Sequence, residues 1–179
     1  KKFLKFDDSN CDPVTLFDGL INEIRRVGRR RPNKLALGVD VFAKLKSNHF
    51  IMERIKYTGT TANPAVVTEQ VLAQLFGVQQ VVVLDSTYNA AEAGMDEKMQ
   101  YICDSKAALL CYTTDTPQID EPSAGYIFAW DMLGNGQYIA TSQFDGPPAT
   151  HTEYIESLLA SDMKKTADDL AVFLHGCVD

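Results

Sequence analysis

Residues 12–32 carry both ends of one helix, and that segment limits what the rest of the chain can be. Asp12 is a good N-cap, because its carboxylate can accept from the free N–H groups of a first turn. Pro13 suits that turn, where its missing N–H costs nothing. Val14, Phe17, Leu20, Ile21, Ile24 and Val27 recur at three- and four-residue intervals and so share one apolar stripe. Gly28 can take the left-handed backbone that closes a helix, and Pro32 stops any continuation. A one-sided helix of this kind must lay its stripe on something.

The later segments are short and mixed. The stretch 33–39, "NKLALGV", reads as a strand. Asp40 can cap a second helix over residues 41–57, with Phe42, Leu45, Ile51 and Ile55 as its apolar positions. Next comes a loop by composition. Thr68 caps a third helix, with Val71, Leu72, Leu75 and Phe76 inward and Gly77 at its end. Residues 80–84, "QVVVL", read as a buried strand, and 85–100 as a long polar loop. "AALLCY" is a further strand, succeeded by a loop with two prolines and three acids. Two alternating segments around Gly134-Asn135-Gly136 predict a hairpin. Residues 153–165 read as a long strand, with a helix as the alternative, and "LAVFLHGCV" as the last strand. There is no alternating strand–helix rhythm and no internal repeat, so the fold class is α+β rather than a doubly wound sheet.

Composition narrows the function. The 179 residues are enough to bury a sizeable core. A formal net charge of −7 disfavours nucleic-acid binding over the whole surface, so any such contact has to be local. No apolar run approaches the ~20 residues of a bilayer span, and no membrane partner is expected. The opening "KKFLKFDDSN" has no apolar core of a signal peptide and no initiator Met, which suggests a piece of a longer chain. Cys11, Cys103, Cys111 and Cys177 fit no zinc spacing and read as reduced thiols. His49, His151 and His175 lie far apart, with no metal-ligand partner at helical spacing. No nucleophile elbow, phosphate loop or metalloprotease motif is present. The acid clusters lack the alternating order of a calcium loop. No catalytic, metal or cofactor residue is therefore assigned, although triads can assemble from distant positions.

Positive charge is concentrated in one place. Arg25, Arg26, Arg29, Arg30 and Arg31 crowd one joint between helix and strand, with Lys34 just beyond. The helix dipole favours Arg25 and Arg26 in a last turn. Arg29, Arg30 and Arg31 exceed what a cap needs. They can pair with acids of the same chain or of a neighbour, stay solvated, or face DNA.

The order of segments resembles a known family. A helix starting at Asp12-Pro13 runs into "RRRPNKLALGVDVFAKLKSNHFIMERIKY". "VTEQVLAQLFGVQQVVVLDSTYN", "YICDSKAALLCY", "GYIFAWD" and "TEYIESLLASDMKKTADDLAVFLHGCV" come after it in turn. This resembles the major capsid proteins of tailed phages and prophages, with the Hong Kong phage-type major capsid fold, over residues 12–179. The resemblance implies a spine helix and peripheral-domain part in residues 1–33. It implies an inserted axial (A) domain in 34–149, and a return strand with a last strand rejoining the A domain in 150–179. It also implies that an N-terminal arm and an extended loop are absent here. The function implied is self-assembly into the pentamers and hexamers of an icosahedral shell enclosing DNA. Its partners would be neighbouring copies, a scaffolding protein, a portal and packaged double-stranded DNA. Its place would be the virion capsid after assembly in the bacterial cytoplasm. The family often has a proline after the His of "SNH"; Phe50 stands there, which leaves the second helix's register open. A different reading of the same residues is a nucleic-acid-binding module that uses the basic run.

Overall fold

A computed structural model describes residues 3–56, 66–130, 139–147 and 152–179. The chain divides into two compact units, Lys1–Ala124 with Asp168–Asp179, and Gly125–Ala167.

The first unit is a layer of helices on one face of a four-stranded sheet. Helix α1 spans Pro13–Gly28, and Asp12 caps it by accepting from the Val14 N–H at 3.1 Å. Its stripe is buried at Val14, Phe17, Ile21 and Ile24, while Val27 is half exposed. The left-handed C-cap is Arg29 (φ 55°), not Gly28 as expected. Gly28 stays helical for a different reason. A Cβ there would lie 2.6 Å from the Asp169 carbonyl oxygen and 2.7 Å from the Leu170 side chain, in a 3-10 turn over Asp168–Leu170. The glycine allows close approach rather than a turn.

Strand β1 (Lys34–Gly38) lies at the sheet's interior, parallel to β2 (Gln80–Leu84) and antiparallel to β5 (Ala108–Cys111). Strand β10 (Ala171–Leu174) pairs antiparallel with β5, giving the order β10-β5-β1-β2. The last strand read from the sequence is present, at Ala171–Leu174. Leu35, Leu37, Val81, Ala108, Leu110 and Leu174 are buried and share the face that the helices cover. The strand expected to be buried, β2, is an edge strand and keeps only Val81 fully buried. A run of β-branched residues marks a strand but not its place in the sheet.

The second expected helix is two. Helix α2 spans Val39–Ser47 and α3 spans His49–Lys56. Asp40 does not cap α2; Gly38 holds that position, and Asp40 accepts from the Ser105 hydroxyl at 2.5 Å. The break falls at buried Asn48, whose extended backbone (ψ 127°) ends α2. Its side chain accepts from the Phe50 N–H at 3.0 Å, restarting the helix. Helix α4 (Glu69–Phe76) is as expected, with Thr68 accepting from Val71 N and Gly77 left-handed at φ 66°. Phe17 and Phe76 meet with ring centroids 4.7 Å apart, joining α1 to α4 in the core. The loop expected after the second helix lies largely outside the described residues.

Asp12 also holds Arg54 of α3 through two hydrogen bonds of 2.7 and 2.8 Å. The Arg54 guanidinium holds the Asp12 carboxyl well below the usual carboxylate range. Burial opposes that, and the Thr15 hydroxyl and Val14 N–H add to it. One residue thus caps α1 and ties it to α3.

The segment 85–100, expected as loop, contains a two-stranded ribbon of β3 (Thr87–Asn89) and β4 (Met99–Tyr101). Strands of three residues carry too little alternation to be read from sequence.

The second unit consists of paired strands. Strand β6 (Gly125–Ala129) pairs with β9 (Ser161–Lys165), and β7 (Ile139–Asp145) with β8 (Glu153–Leu159), all antiparallel. The expected hairpin between β6 and β7 does not form; each finds its partner further along the chain. The turn expected at Gly134-Asn135-Gly136 lies outside the described residues. Between β7 and β8, Gly146 N–H donates to the Thr152 carbonyl at 2.7 Å. The long strand expected over 153–165 is present but interrupted at Ala160, and the helix alternative is excluded. Helix α1 packs on β10 of the first unit's four-stranded sheet.

Candidate functional site

The basic run lies at one end of the first unit. Helix α1 ends there, and β1 and β2 both start there, since Lys34 pairs with Gln80. Asn33 holds this end together. Its side chain accepts from Thr113 N–H at 2.9 Å and donates to the Thr113 carbonyl at 2.7 Å. Its own carbonyl accepts from the N–H groups of Gln79 and Gln80 at 2.9 and 3.1 Å. No local signal singles out Asn33, because its role depends on residues about 46 and 80 positions away. That anchoring sets the acidic loop 113–123 beside the arginines.

Three of the six cations are then occupied within the chain. Arg30 lies 3.5 Å from Glu121 and its guanidinium is 5.8 Å from the Tyr112 ring centroid. Arg31 donates to the Gly77 carbonyl at 2.9 Å, where a cation complements the C-terminal end of α4. Lys34 pairs with Asp115 at 3.1 Å. Arg31 and Asp115 border an open cleft of about 440 Å³ whose lining includes Asn33, Gln79, Tyr112 and Thr113. Arg25, Arg26 and Arg29 are exposed, and no ion pair or hydrogen bond of their side chains is found among the described residues. The sheet and its loop therefore divide the run in two, an internal half and an outward half.

At the opposite end of the same sheet stands the β3–β4 ribbon. It leaves the sheet after Leu84, beyond the pair Gly38–Leu84, and its base is closed by Ile102 N–H donating to the Ser86 carbonyl at 3.0 Å. Every residue from 85 to 104 is exposed except Ala91. Its tip is held in one shape: Asn89 accepts from the N–H groups of Ala91 and Lys98 at 2.9 and 3.0 Å, and Gly94 turns the chain at φ 87°. Glu92, Asp96 and Glu97 lie on that tip with Lys98 beside them. Tyr88, Met95, Met99, Tyr101 and Ile102 present apolar surface to water.

The second unit shows apolar surface on a larger scale. None of its described residues is buried. Ile127, Phe128, Trp130, Phe144, Ile155 and Met163 are each more than half exposed, with Ile155 at 71% and Met163 at 72%.

No group of three or more His, Cys, Asp or Glu side chains suited to a metal is found among the described residues. His175 sits 3.6 Å from Asp104 at the surface, His49 packs edge-on to Phe50, and His151 lies outside the described residues. The four cysteines are free; Cys11, Cys111 and Cys177 are buried and Cys103 is exposed. Burial pushes the Cys177 thiol up to about 11, and those of Cys11 and Cys111 upward as well. No described helix is long and apolar enough to cross a membrane.

No protein-family model matches the chain. Over 84 residues, 47% of the chain, it is 30% identical to the major capsid protein of Burkholderia phage BcepMu. That match spans 26% of the phage protein's own length. Two solved structures resemble it over nearly its whole length. A phage-related protein of Bordetella bronchiseptica RB50 matches 97% of the chain and 54% of its own, at 18% identity and TM-score 0.77. A candidate capsid protein of a prophage in Escherichia coli CFT073 matches 96% of the chain and 50% of its own, at 12% identity and TM-score 0.56. The chain thus spans about half the length of the solved proteins whose fold it shares. Its mixed α+β fold is shared with proteins of phage and prophage origin.

Proposed function

We propose that this chain is part of a major capsid protein of a tailed phage or prophage, a structural rather than catalytic protein. The observation that carries the reading is the second unit. A two-stranded ribbon is marginal in water by itself, and this unit leaves its large apolar side chains open on strands with no buried residue. Such a surface is made to be covered, and patches of this kind mark protein–protein contacts. The similarity to a phage major capsid protein and to proteins of phage and prophage origin supports reading the cover as other copies in a shell.

On this reading the protein self-assembles into the pentamers and hexamers of an icosahedral shell around double-stranded DNA. Scaffolding and portal proteins are its further partners, and assembly takes place in the bacterial cytoplasm. The Hong Kong phage-type layout belongs to the same proposal, with peripheral parts at 1–33 and 150–179 and an axial domain at 34–149. The nucleic-acid module has less to stand on, because Arg30, Arg31 and Lys34 are engaged inside the chain. Expression of the longer protein, with electron microscopy of the lysate, tests the reading. Closed shells or rings of five and six subunits are expected. A soluble monomer that binds duplex DNA with a steep salt dependence and never forms particles overturns it.

A further inference from the structure

The two ends of the first unit's sheet are charge-complementary but cannot meet within one molecule. We propose that they meet between molecules: the β3–β4 ribbon of one copy docks by its acidic tip on the Arg25, Arg26 and Arg29 end of α1 in the next. The proposal rests on the self-assembly reading and names a contact within it.

Four observations support it. First, the separation is built in. The arginines sit where β1 and β2 start, and the ribbon leaves where they end, Gly38 pairing with Leu84. Five residues of strand put about 13 Å between the ends before the ribbon's own length is added. Both strands of the ribbon are exposed along their length, so it does not fold back along the sheet.

Second, both partners are unspent. Arg25 and Arg26 lie in the last turn of α1, and Arg29 is its left-handed C-cap. All three are exposed and form no ion pair among the described residues. Glu92, Asp96 and Glu97 likewise have no side-chain partner among the described residues, and Lys98 is the one cation among them. Third, the tip keeps one shape through the Asn89 hydrogen bonds, so docking orders little that is not ordered already. Fourth, Tyr88, Met95, Met99 and Tyr101 place exposed apolar surface beside the acids. Single exposed ion pairs contribute little. A three-on-three network backed by aromatic and Met contacts is a different case.

The contact is heterologous, since a ribbon meets a helix end rather than another ribbon. Repeated from copy to copy, such a contact generates a ring if the rotation closes and a filament if it does not. It is the type of contact a capsomer needs, with the charges setting register.

The test uses sedimentation velocity on this chain at low and at high salt. Association is expected at low salt and should weaken as salt screens the charges. Two variants decide the point: R25E/R26E/R29E and E92K/D96K/E97K. Each alone sets like charges against each other and should associate at least roughly tenfold more weakly than the parent. An equimolar mixture should recover association, because each variant then supplies the end that the other lacks. Circular dichroism shows whether each variant has folded, and R25Q/R26Q/R29Q serves if the glutamates disturb the last turn of α1. Three outcomes overturn the proposal: a parent chain monomeric at low salt, variants that associate like the parent, or a mixture that does not recover. Tight, salt-dependent binding of duplex DNA, lost in R25E/R26E/R29E and unaffected by the ribbon variant, would assign the arginines to nucleic acid instead. Shells from the longer protein alongside a failed mixture would sink this contact and leave the capsid reading intact.

Discussion

In the first unit Phe17, Leu35, Leu37, Leu45, Ile51 and Leu72 have no exposed surface at all, whereas in the second Ile127, Phe144, Ile155 and Met163 lie more than half open to water. Both regions are rich in apolar residues, but only one of them uses those residues on itself. The first unit has two layers, so the buried apolar side chains of the helices pack with those of the sheet in one core. The second consists of the strand pairs β6–β9 and β7–β8, and none of its described residues is buried. Its strands pair through the backbone across β6–β9 and β7–β8, yet its side chains are not covered. A region of this kind is completed by something else, which is the physical content of the assembly reading.

The contrast predicts a ladder of effects on thermal or denaturant unfolding of the first unit. Phe17 lies at the centre, between Phe6 and Phe76. Phe17→Ala should cost about 3–5 kcal/mol, read as a shift in the urea midpoint without a change in slope. A loss under ~1 kcal/mol would show that the α1–α4 contact is not part of the cooperative core. Gly28→Ala comes next. Its new Cβ meets backbone at 2.6 Å, so the 3-10 turn over residues 168–170 must move, at about 1–3 kcal/mol. A melting temperature equal to the parent's would mean that α1 and the turn separate freely.

Asp12→Ala should cost about 1 kcal/mol for the lost cap. The screened pair with half-exposed Arg54 adds less than that. The same residue gives a pH signature. Its folded carboxyl titrates below the ordinary value of 3.8, so its contribution is fully present above that value. It is lost as pH falls through the folded pKa. Asp7 acts in the same direction, its carboxylate held low by the Asp179 N–H at 2.7 Å and by Lys44. The parent should therefore lose stability progressively below about pH 4, and Asp12→Ala should show a shallower acid slope. Equal slopes in both proteins would remove Asp12 from the account.

The smallest effect belongs to the second unit. Ile155→Asp should change the unfolding of the first unit by no more than ~0.5 kcal/mol, as expected at an exposed position. In the longer protein the same substitution should block assembly, read by electron microscopy. A large loss of stability in the isolated chain would show that the ribbon is covered by its own molecule, and the contrast between the two regions would fail.

How much of this was legible in the residues depended on distance. Local signals were read well. Asp12 and Thr68 cap helices, Gly77 closes one, and Lys34–Gly38 and Ala108–Cys111 are strands, because caps and short apolar runs act over a few residues. The signals that failed were those needing a partner far along the chain. The alternation in β6 and β7 was correct, yet alternation fixes which side chains share a face, not which strand lies alongside. Hence the expected hairpin gave way to pairing with β9 and β8. The break at Asn48 was hidden for the same reason, since its amide reaches toward the Phe6 and Cys11 carbonyls about 40 residues away. The arginine run was visible at once, but its division was not. Only the fold, through Asn33 and the 113–123 loop, brought Glu121 and Asp115 to Arg30 and Lys34 and left Arg25, Arg26 and Arg29 facing outward.

The order of residues alone settled the α+β class, the capped helices, the apolar stripe of α1 and a net charge of −7 that confines any anionic partner to a local patch. These come from steric preference, hydrogen bonding and hydrophobic spacing between near neighbours. Folding was needed to make Gly28 a point of close approach rather than a cap, to place β2 at an edge, and to stand an acidic ribbon at the far end of the sheet from Arg25, Arg26 and Arg29. Those outcomes depend on loop closure over tens of residues, where pairing energy shared by many contacts, and not the preference of any one residue, selects the partner.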